Sequence, residues 1–271
     1  MNRILVPTDF SPVADNALKY ALDVASKFNS DILLYHVYSF HRRVDYDRNH
    51  PEDEQPYVKN IEQKMNDSLA GIKSRAEELG VHVEGKVEEN TPFYLFKNKV
   101  TKNDVELIVM GTKGATGLEK VIYGSVAATA LETAKVPVLV VPPEHATGMK
   151  RIVLATDLDG VSPTILAPLR KLASAYDAKV TILRVNTHPE TDLISEDDLP
   201  LEGIDREYRE VPLSKSINDS VNQFVEKDDS DLVCMIRREK DFFESIFKKS
   251  VTKAHVYNSD VPFLVLPEIK S

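Results

Sequence analysis

Apolar residues along this chain fall into two kinds of spacing. Short continuous runs such as Ile4-Leu-Val6, Ile32-Leu-Leu34, Leu107-Ile-Val-Met110 and Val138-Leu-Val-Val141 have strand length and are bounded by polar or turn-forming residues. Between them, hydrophobic positions recur every three or four residues. The pattern predicts strands near 3–7, 31–37, 81–87, 106–110 and 137–141, and helices near 12–28, 57–80, 91–101 and 123–135. The helix over 57–80 has the clearest face, made by Val58, Ile61, Met65, Leu69, Ile72, Ala76 and Leu79. Strands alternating with helices imply a mainly parallel sheet covered on both faces. Ligands of such sheets sit beyond the carboxyl ends of the strands, at the switch point in strand order. Asp9, Val37 and Met110-Gly111 each follow such an end, so they can converge although distant in sequence.

The pattern then repeats. Arg3-Ile-Leu-Val-Pro-Thr-Asp9 returns as Arg151-Ile-Val-Leu-Ala-Thr-Asp157, and residues 3–37 match 151–185 without a gap, with 9 identities in 35 positions. Val136-Pro-Val-Leu-Val-Val-Pro142 returns as Val261-Pro-Phe-Leu-Val-Leu-Pro267. A duplication of this kind bears on the whole fold. It predicts two domains, 1–143 and 150–271, joined by a short turn-rich linker over 142–149. The fold class is therefore α/β, with two tandem doubly wound, mainly parallel open sheets of Rossmann-like type. The second copy is shorter by 23 residues between its second strand and its Met235, close to the length of the 57–80 helix. The acidic stretch Pro189–Pro200 replaces that helix, and a loop or short helix is expected there. One flank of the second sheet then needs cover from elsewhere, such as the first domain.

Composition narrows the function classes. The chain has 271 residues, long enough for two cores. Hydrophobic residues at 42% and charged residues at 28% are ordinary for a soluble globular protein. No apolar run has transmembrane length, and the N-terminus enters a strand without a signal-peptide pattern. With a single cysteine, Cys234, a reducing cytoplasm is the expected setting. A net charge of −9 disfavours nucleic acid as a partner. The basic clusters His41-Arg42-Arg43 and Arg237-Arg238 are short and flanked by acids.

The chemistry is concentrated in residues 111–125, Gly-Thr-Lys-Gly-Ala-Thr-Gly-Leu-Glu-Lys-Val-Ile-Tyr-Gly-Ser, between a strand and a helix. Glycines let a backbone pass close to a ligand. Gly124-Ser125 opens the helix, where unpaired N–H groups and the helix dipole favour phosphate oxygens, and the Ser125 hydroxyl adds a donor. The spacing fits neither the Walker A loop nor the dinucleotide fingerprint. A tight turn with a closely packed helix start would need the same glycines. Asp9, just before a helix, could equally be only its N-cap.

Gly-x2-Gly-x9-Gly-Ser, together with Arg3–Asp9 and Val136–Val141, resembles the ATP-binding pattern of the universal stress protein family, over nearly the whole first copy. The resemblance implies that Pro7, Thr8 and Asp9 lie near the adenosine and that Asp9 accepts its hydrogen bonds. It implies that Val37 contacts adenine through its backbone and that Met110 and Gly111 line the turn. Gly114, Gly124, Ser125 and Val126 would hold the phosphates of ATP, with Mg2+ or a similar cation alongside. Ala127 departs from the pattern, since many ATP-binding members carry a hydroxyl there. A further implication is a stress-response sensor or adaptor. The sequence itself supplies no evident general base, arginine finger or metal-ligand pair for phosphoryl transfer, so no catalytic residue and no metal site is expected, with at most slow ATP hydrolysis or self-phosphorylation. In the family the last strands of two monomers often pair across a two-fold axis. A tandem chain can make that pairing internally, as a pseudo-dimer, and a homodimer stays open.

The second copy loses the motif. Aligned on the last strand, Ile236, Glu239 and Lys249 stand opposite Gly111, Gly114 and Gly124, while Ser250 and Asp157 answer Ser125 and Asp9. Glutamate at a phosphate site repels the ligand, so this site reads as degenerate. Arg237, Arg238 and Lys240 could bind another anion or form a solvated loop. Cys234 sits in an apolar strand and reads as a core thiol. His41, His50, Asp45 and Asp47 match no metal spacing. His36 either touches the crevice or packs on a helix. Two other function classes compete: a scaffold that binds a protein or small molecule through its second half, and an enzyme of a related nucleotide-binding type such as a nucleotidyl transferase.

Overall fold

The computed structural model describes residues 1–39, 54–100, 104–112, 124–143, 146–158, 161–186, 199–237 and 261–268. The first repeat contains strands β1 (Arg3–Pro7), β2 (Asp31–Tyr38), β3 (Val83–Glu89), β4 (Val105–Gly111) and β5 (Val138–Val141). Its helices are α1 (Pro12–Phe28), α2 (Glu54–Leu79), α3 (Pro92–Tyr94) and α4 (Ser125–Thr133). The second repeat runs β6 (Arg151–Ala155), α5 (Pro163–Tyr176), β7 (Lys179–Asn186), β8 (Arg206–Pro212), α6 (Ile217–Asp228), β9 (Leu232–Arg237) and β10 (Phe263–Pro267).

The ten strands form one sheet in the order β3-β2-β1-β4-β5-β10-β9-β6-β7-β8. Each half keeps the doubly wound order, with its switch point between the first and fourth strands of the repeat. Neighbours are parallel within each half. Among the described strands only the junction is antiparallel, where Phe263, Leu264 and Val265 face Val140, Leu139 and Val138. An offset of 125 residues relates the two closing strands, so Leu139 and its own counterpart Leu264 meet at the centre of a pseudo-two-fold axis. The closing strands thus pair with each other inside one chain. The outer strands β3 and β8 are only partly buried and carry charges at Glu84, Lys86, Arg206 and Arg209, which discourages edge-to-edge pairing.

Strand alternation sorts the core into two layers. Ile4, Val6, Ile32, Leu34, Leu107, Leu139 and, across the junction, Leu264 and Leu266 pack on the face covered by α1, α2 and α5. Leu5, Leu33, Ile108, Val138, Val140, Phe263 and Val265 pack on the other face, with Leu131 of α4 and Val221 of α6. Both faces run across the junction without a break. Helix α1 is capped by Ser11, whose hydroxyl accepts the Ala14 N–H, with Pro12 at its first position. The expected apolar face of α2 is the one that packs: Ile61, Met65 and Ala76 are buried, and Leu69, Ile72 and Leu79 lie against the core.

Two local expectations need correction. The segment predicted as a helix over 91–101 is the short α3 followed by a π turn over Leu95–Lys99. That wider turn lets Leu95, Phe96 and Val100 all reach the sheet. The flank of the second sheet is covered first by its own chain. Leu199 and Leu201, at the end of the acidic stretch, are buried in the layer that α2 fills in the first repeat. Helix α1 adds contacts from the other repeat, where the Tyr176 hydroxyl donates to Asp23 Oδ2 at 2.7 Å and Lys27 lies over the Tyr176 ring. The linker is tied to α1 as well, by Asn16 to the Pro142 carbonyl and Tyr20 to the Gly148 carbonyl. Among the described residues no helix is long and apolar enough to cross a membrane.

Candidate functional site

The turn from β1 into α1 is fixed by its own side chains. The Thr8 N–H donates to the Tyr35 carbonyl, the Phe10 N–H to Thr8 Oγ1 at 2.9 Å, and the Ser11 N–H to Asp9 Oδ1 at 3.1 Å. Phe10 has φ 61°, the left-handed region that a bulky residue enters at a cost. Its ring stacks on His36 at 4.7 Å, and His36 Nδ1 lies 2.7 Å from the Thr8 carbonyl. A carbonyl only accepts, so Nδ1 carries the proton there. Burial holds the imidazole pKa below its usual value, against the partly offsetting pull of that carbonyl bond. His36 therefore supports the turn from behind and is absent from the cavity lining. Asp9 is not the N-cap of α1, since that position belongs to Ser11.

Beside this turn opens a cavity of about 210 Å3 at the carboxyl ends of β1, β2 and β4. Pro7, Thr8, Asp9, Val37, Met110, Gly111, Gly124, Ser125 and Val126 all line it, as do Ala14, Tyr35, Pro92, Leu95, Thr112 and Ala127. Nine of the ten residues singled out in the sequence are thus brought together by three loop regions. Gly114, the tenth, lies outside the described residues, as do His41, Arg42, Arg43, Asp45, Asp47 and His50. The walls are apolar at Val37, Leu95 and Met110, with hydroxyls at Thr8, Thr112 and Ser125 and one carboxylate at Asp9. Such a mixture suits a flat heterocycle carrying a polar sugar.

Helix α4 points its first turn at this cavity. Gly124 is its N-cap and makes no side-chain cap bond, and the first N–H groups of a helix have no intrahelical acceptor. The Gly124 N–H donates to the Thr112 carbonyl at 2.9 Å, and the Thr112 N–H donates to the Val141 carbonyl at 3.1 Å. The two ends of the glycine-rich loop are therefore pinned together. Gly111 proves to have a structural reason of its own. A Cβ there would stand 2.6 Å from Val13 Cγ1 and 3.1 Å from the Val13 carbonyl oxygen. We expect Gly111→Ala to destabilise the protein by about 1–3 kcal/mol, since the start of α1 must move. Urea unfolding reads this as a lower midpoint at unchanged slope, and an unchanged midpoint would show that α1 yields freely.

Tyr35, Pro92, Leu95 and Thr112 were not anticipated. Tyr35 was findable, because it shares the face of Val37 two residues along the same strand. Its hydroxyl donates to Glu88, and burial followed by that bond raises its pKa, so it stays a neutral donor. Leu95 opens the π turn, whose wider spacing the regular helix expected over 91–101 does not reproduce.

The second repeat keeps the turn without the loop. The Leu158 N–H donates to Thr156 Oγ1 at 3.1 Å, the Thr156 N–H donates to the Leu183 carbonyl, and Leu158 has φ 70°. These mirror Phe10, Thr8 and Tyr35. Glu239, Lys249 and Ser250, with Arg238 and Lys240, lie outside the described residues. Arg237 is described, and it is neither an anion ligand nor a solvated loop residue. Its guanidinium donates to the Leu131 carbonyl at 2.6 Å and the Ala134 carbonyl at 2.5 Å, at the end of α4 in the other repeat. Cys234 is fully buried, which raises its thiol pKa. Among the described residues no group of three or more His, Cys, Asp or Glu converges as a metal site would require.

The model of the universal stress protein family matches residues 1–142. Universal stress protein MJ0531 of Methanocaldococcus jannaschii is 32% identical over 140 residues, which is 51% of this chain and 81% of that protein. Universal stress protein YxiE of Bacillus subtilis is 28% identical over 148 residues, 52% of this chain and 98% of that protein. The crystal structure of a universal stress protein from Archaeoglobus fulgidus superposes with a TM-score of 0.74 at 19% identity. It covers 98% of this chain and 96% of that one, so the likeness in fold extends through both repeats.

Proposed function

The chain belongs to the universal stress protein family, and we propose that it is an ATP-binding sensor or adaptor whose first repeat, 1–143, holds the nucleotide. One observation carries the reading: the Thr8-Asp9 turn, Val37, Met110-Gly111 and Gly124–Val126 line a single cavity at the strand switch point. Asp9 and Thr8 suit the sugar and base edges, since a carboxylate and a hydroxyl accept their donors. Val37, Leu95 and Met110 suit the adenine faces. The amides of Ser125 and Val126, with the Ser125 hydroxyl, suit phosphate oxygens. Mg2+ would arrive bound to those phosphates, because Mg2+ typically keeps waters and takes few protein ligands. The second repeat, 150–271, is read as a domain without ATP. No residue is given a catalytic role.

A second reading has specific support. The Thr8 turn is duplicated at Thr156, and Gly111 is required by Val13, so part of the motif serves packing in either case. On that reading the chain is a scaffold that binds a protein or small molecule. Titration calorimetry of the purified chain separates the two. The expected result is one ATP per chain, with adenine nucleotide also found by mass spectrometry in the ligand released from the protein. Two equivalent sites, or none, would contradict the proposal.

A further inference from the structure

Helix α4 is held at both ends by the same position in the two repeats. With the 125-residue offset, Thr112 of the first repeat corresponds to Arg237 of the second. The Thr112 carbonyl accepts the Gly124 N–H at the helix start. Arg237 donates from Nη1 to the Leu131 carbonyl and from Nη2 to the Ala134 carbonyl at the helix end. Helix termini leave their last carbonyls without intrahelical partners, and α4 has no basic residue of its own in its last turn. The second repeat supplies that cation. A guanidinium is suited to the task, because its fixed fork reaches two acceptors together.

We infer that Arg237 of the second repeat is a positioning residue for the phosphate end of the first repeat's site, because it sets the placement of α4 and so the aim of its N-terminal amides. This inference rests on the nucleotide reading above. A nine-residue helix is a rod about 14 Å long, so a shift at its C-terminus is carried to Gly124-Ser125. A cation at the C-terminus also opposes the negative end of the helix dipole, whose positive end faces the phosphates. Ala130 and Leu131 are fully buried against the sheet, so α4 moves as a unit or frays, with little room between. Arg237 is half-buried, and its departure leaves two carbonyls poorly satisfied. The second repeat, without the phosphate glycines, thus acts on the site through the strand end that would have served its own.

The test uses the full chain with Arg237→Ala and Arg237→Lys, titrated with ATP and separately with adenosine. Arg237→Ala should weaken ATP about fivefold, the range that a helix-terminal charge contributes. Adenosine should bind as in the wild type, since its contacts lie on β1, β2 and β4. Arg237→Lys should recover most of the ATP affinity. Equal weakening of ATP and adenosine would assign Arg237 to general structure alone and overturn the inference, as would unchanged ATP affinity in the folded variant. Amide hydrogen exchange across α4 without nucleotide provides a second reading. Exchange at Val126–Leu131 should quicken in Arg237→Ala, and unaltered exchange would overturn the positioning role whatever the titrations give. A wild-type chain that binds neither ATP nor adenosine would instead refute the nucleotide site itself, leaving exchange to decide whether Arg237 orders the helix.

Discussion

Cut after Pro143, the chain is expected to associate as a two-fold dimer through β5. In the whole protein Val138, Leu139, Val140 and Val141 are each at most 1% exposed, and β10 covers one edge of that strand. Removing the second repeat strips the edge and exposes side chains on both faces of the sheet. Each apolar side chain left to solvent forfeits about 1.5–3 kcal/mol, a large share of a single domain's stability. An unpaired apolar edge also seeks another strand. The replacement is at hand because of the register. Leu139 pairs with its own counterpart Leu264, so a second copy of β5 can take the place of β10 with Leu139 on Leu139. Sedimentation of the 1–143 fragment should give a dimer that dissociates on dilution, and Leu139→Lys should yield a destabilised monomer. A fragment that stays monomeric and as stable as the full chain would show that β5 needs no partner.

What could be read from the sequence follows from which forces act locally. Strand runs and helix periodicity arise from burial of one side of each element, so β1, β2, β4, β5 and α1 fall within a residue or so of expectation. The duplication exposed the closing strands, and the family resemblance then implied their pairing within one chain. The convergence of Asp9, Val37 and Met110-Gly111 was legible because strand ends at a switch point open on one crevice. Non-local geometry was not legible. Leu199 and Leu201 fill a core layer from a segment whose composition is acidic. Arg237 read as an anion ligand or part of a solvated loop, and the antiparallel junction brings it to α4 instead. Gly111 looked like a ligand-approach glycine, and only the fold brings Val13 against it.

Gly114→Glu is expected to abolish ATP binding while the protein stays folded. The substitution copies Glu239, which holds the matching position in the second repeat. Position 114 lies two residues beyond Thr112, in a loop whose ends are clasped by the bond from the Gly124 N–H to the Thr112 carbonyl. On the proposed reading it is one of the glycines that hold the phosphates. A carboxylate about 5 Å from one phosphate charge repels it by about 3 kcal/mol at an effective dielectric of 20. That corresponds to a loss of affinity on the order of a hundredfold, and a triphosphate carries more than one charge. Gly114→Ala separates charge from shape: it adds a methyl group and no charge, so it should weaken ATP far less if repulsion dominates. The charge argument also predicts that adenosine, which lacks phosphate, binds Gly114→Glu nearly as well as the wild type. Calorimetry with both ligands, alongside a thermal melt to verify folding, decides the matter. ATP affinity retained in the folded Gly114→Glu chain would mean that this loop does not hold phosphate, and the nucleotide would have to be sought elsewhere.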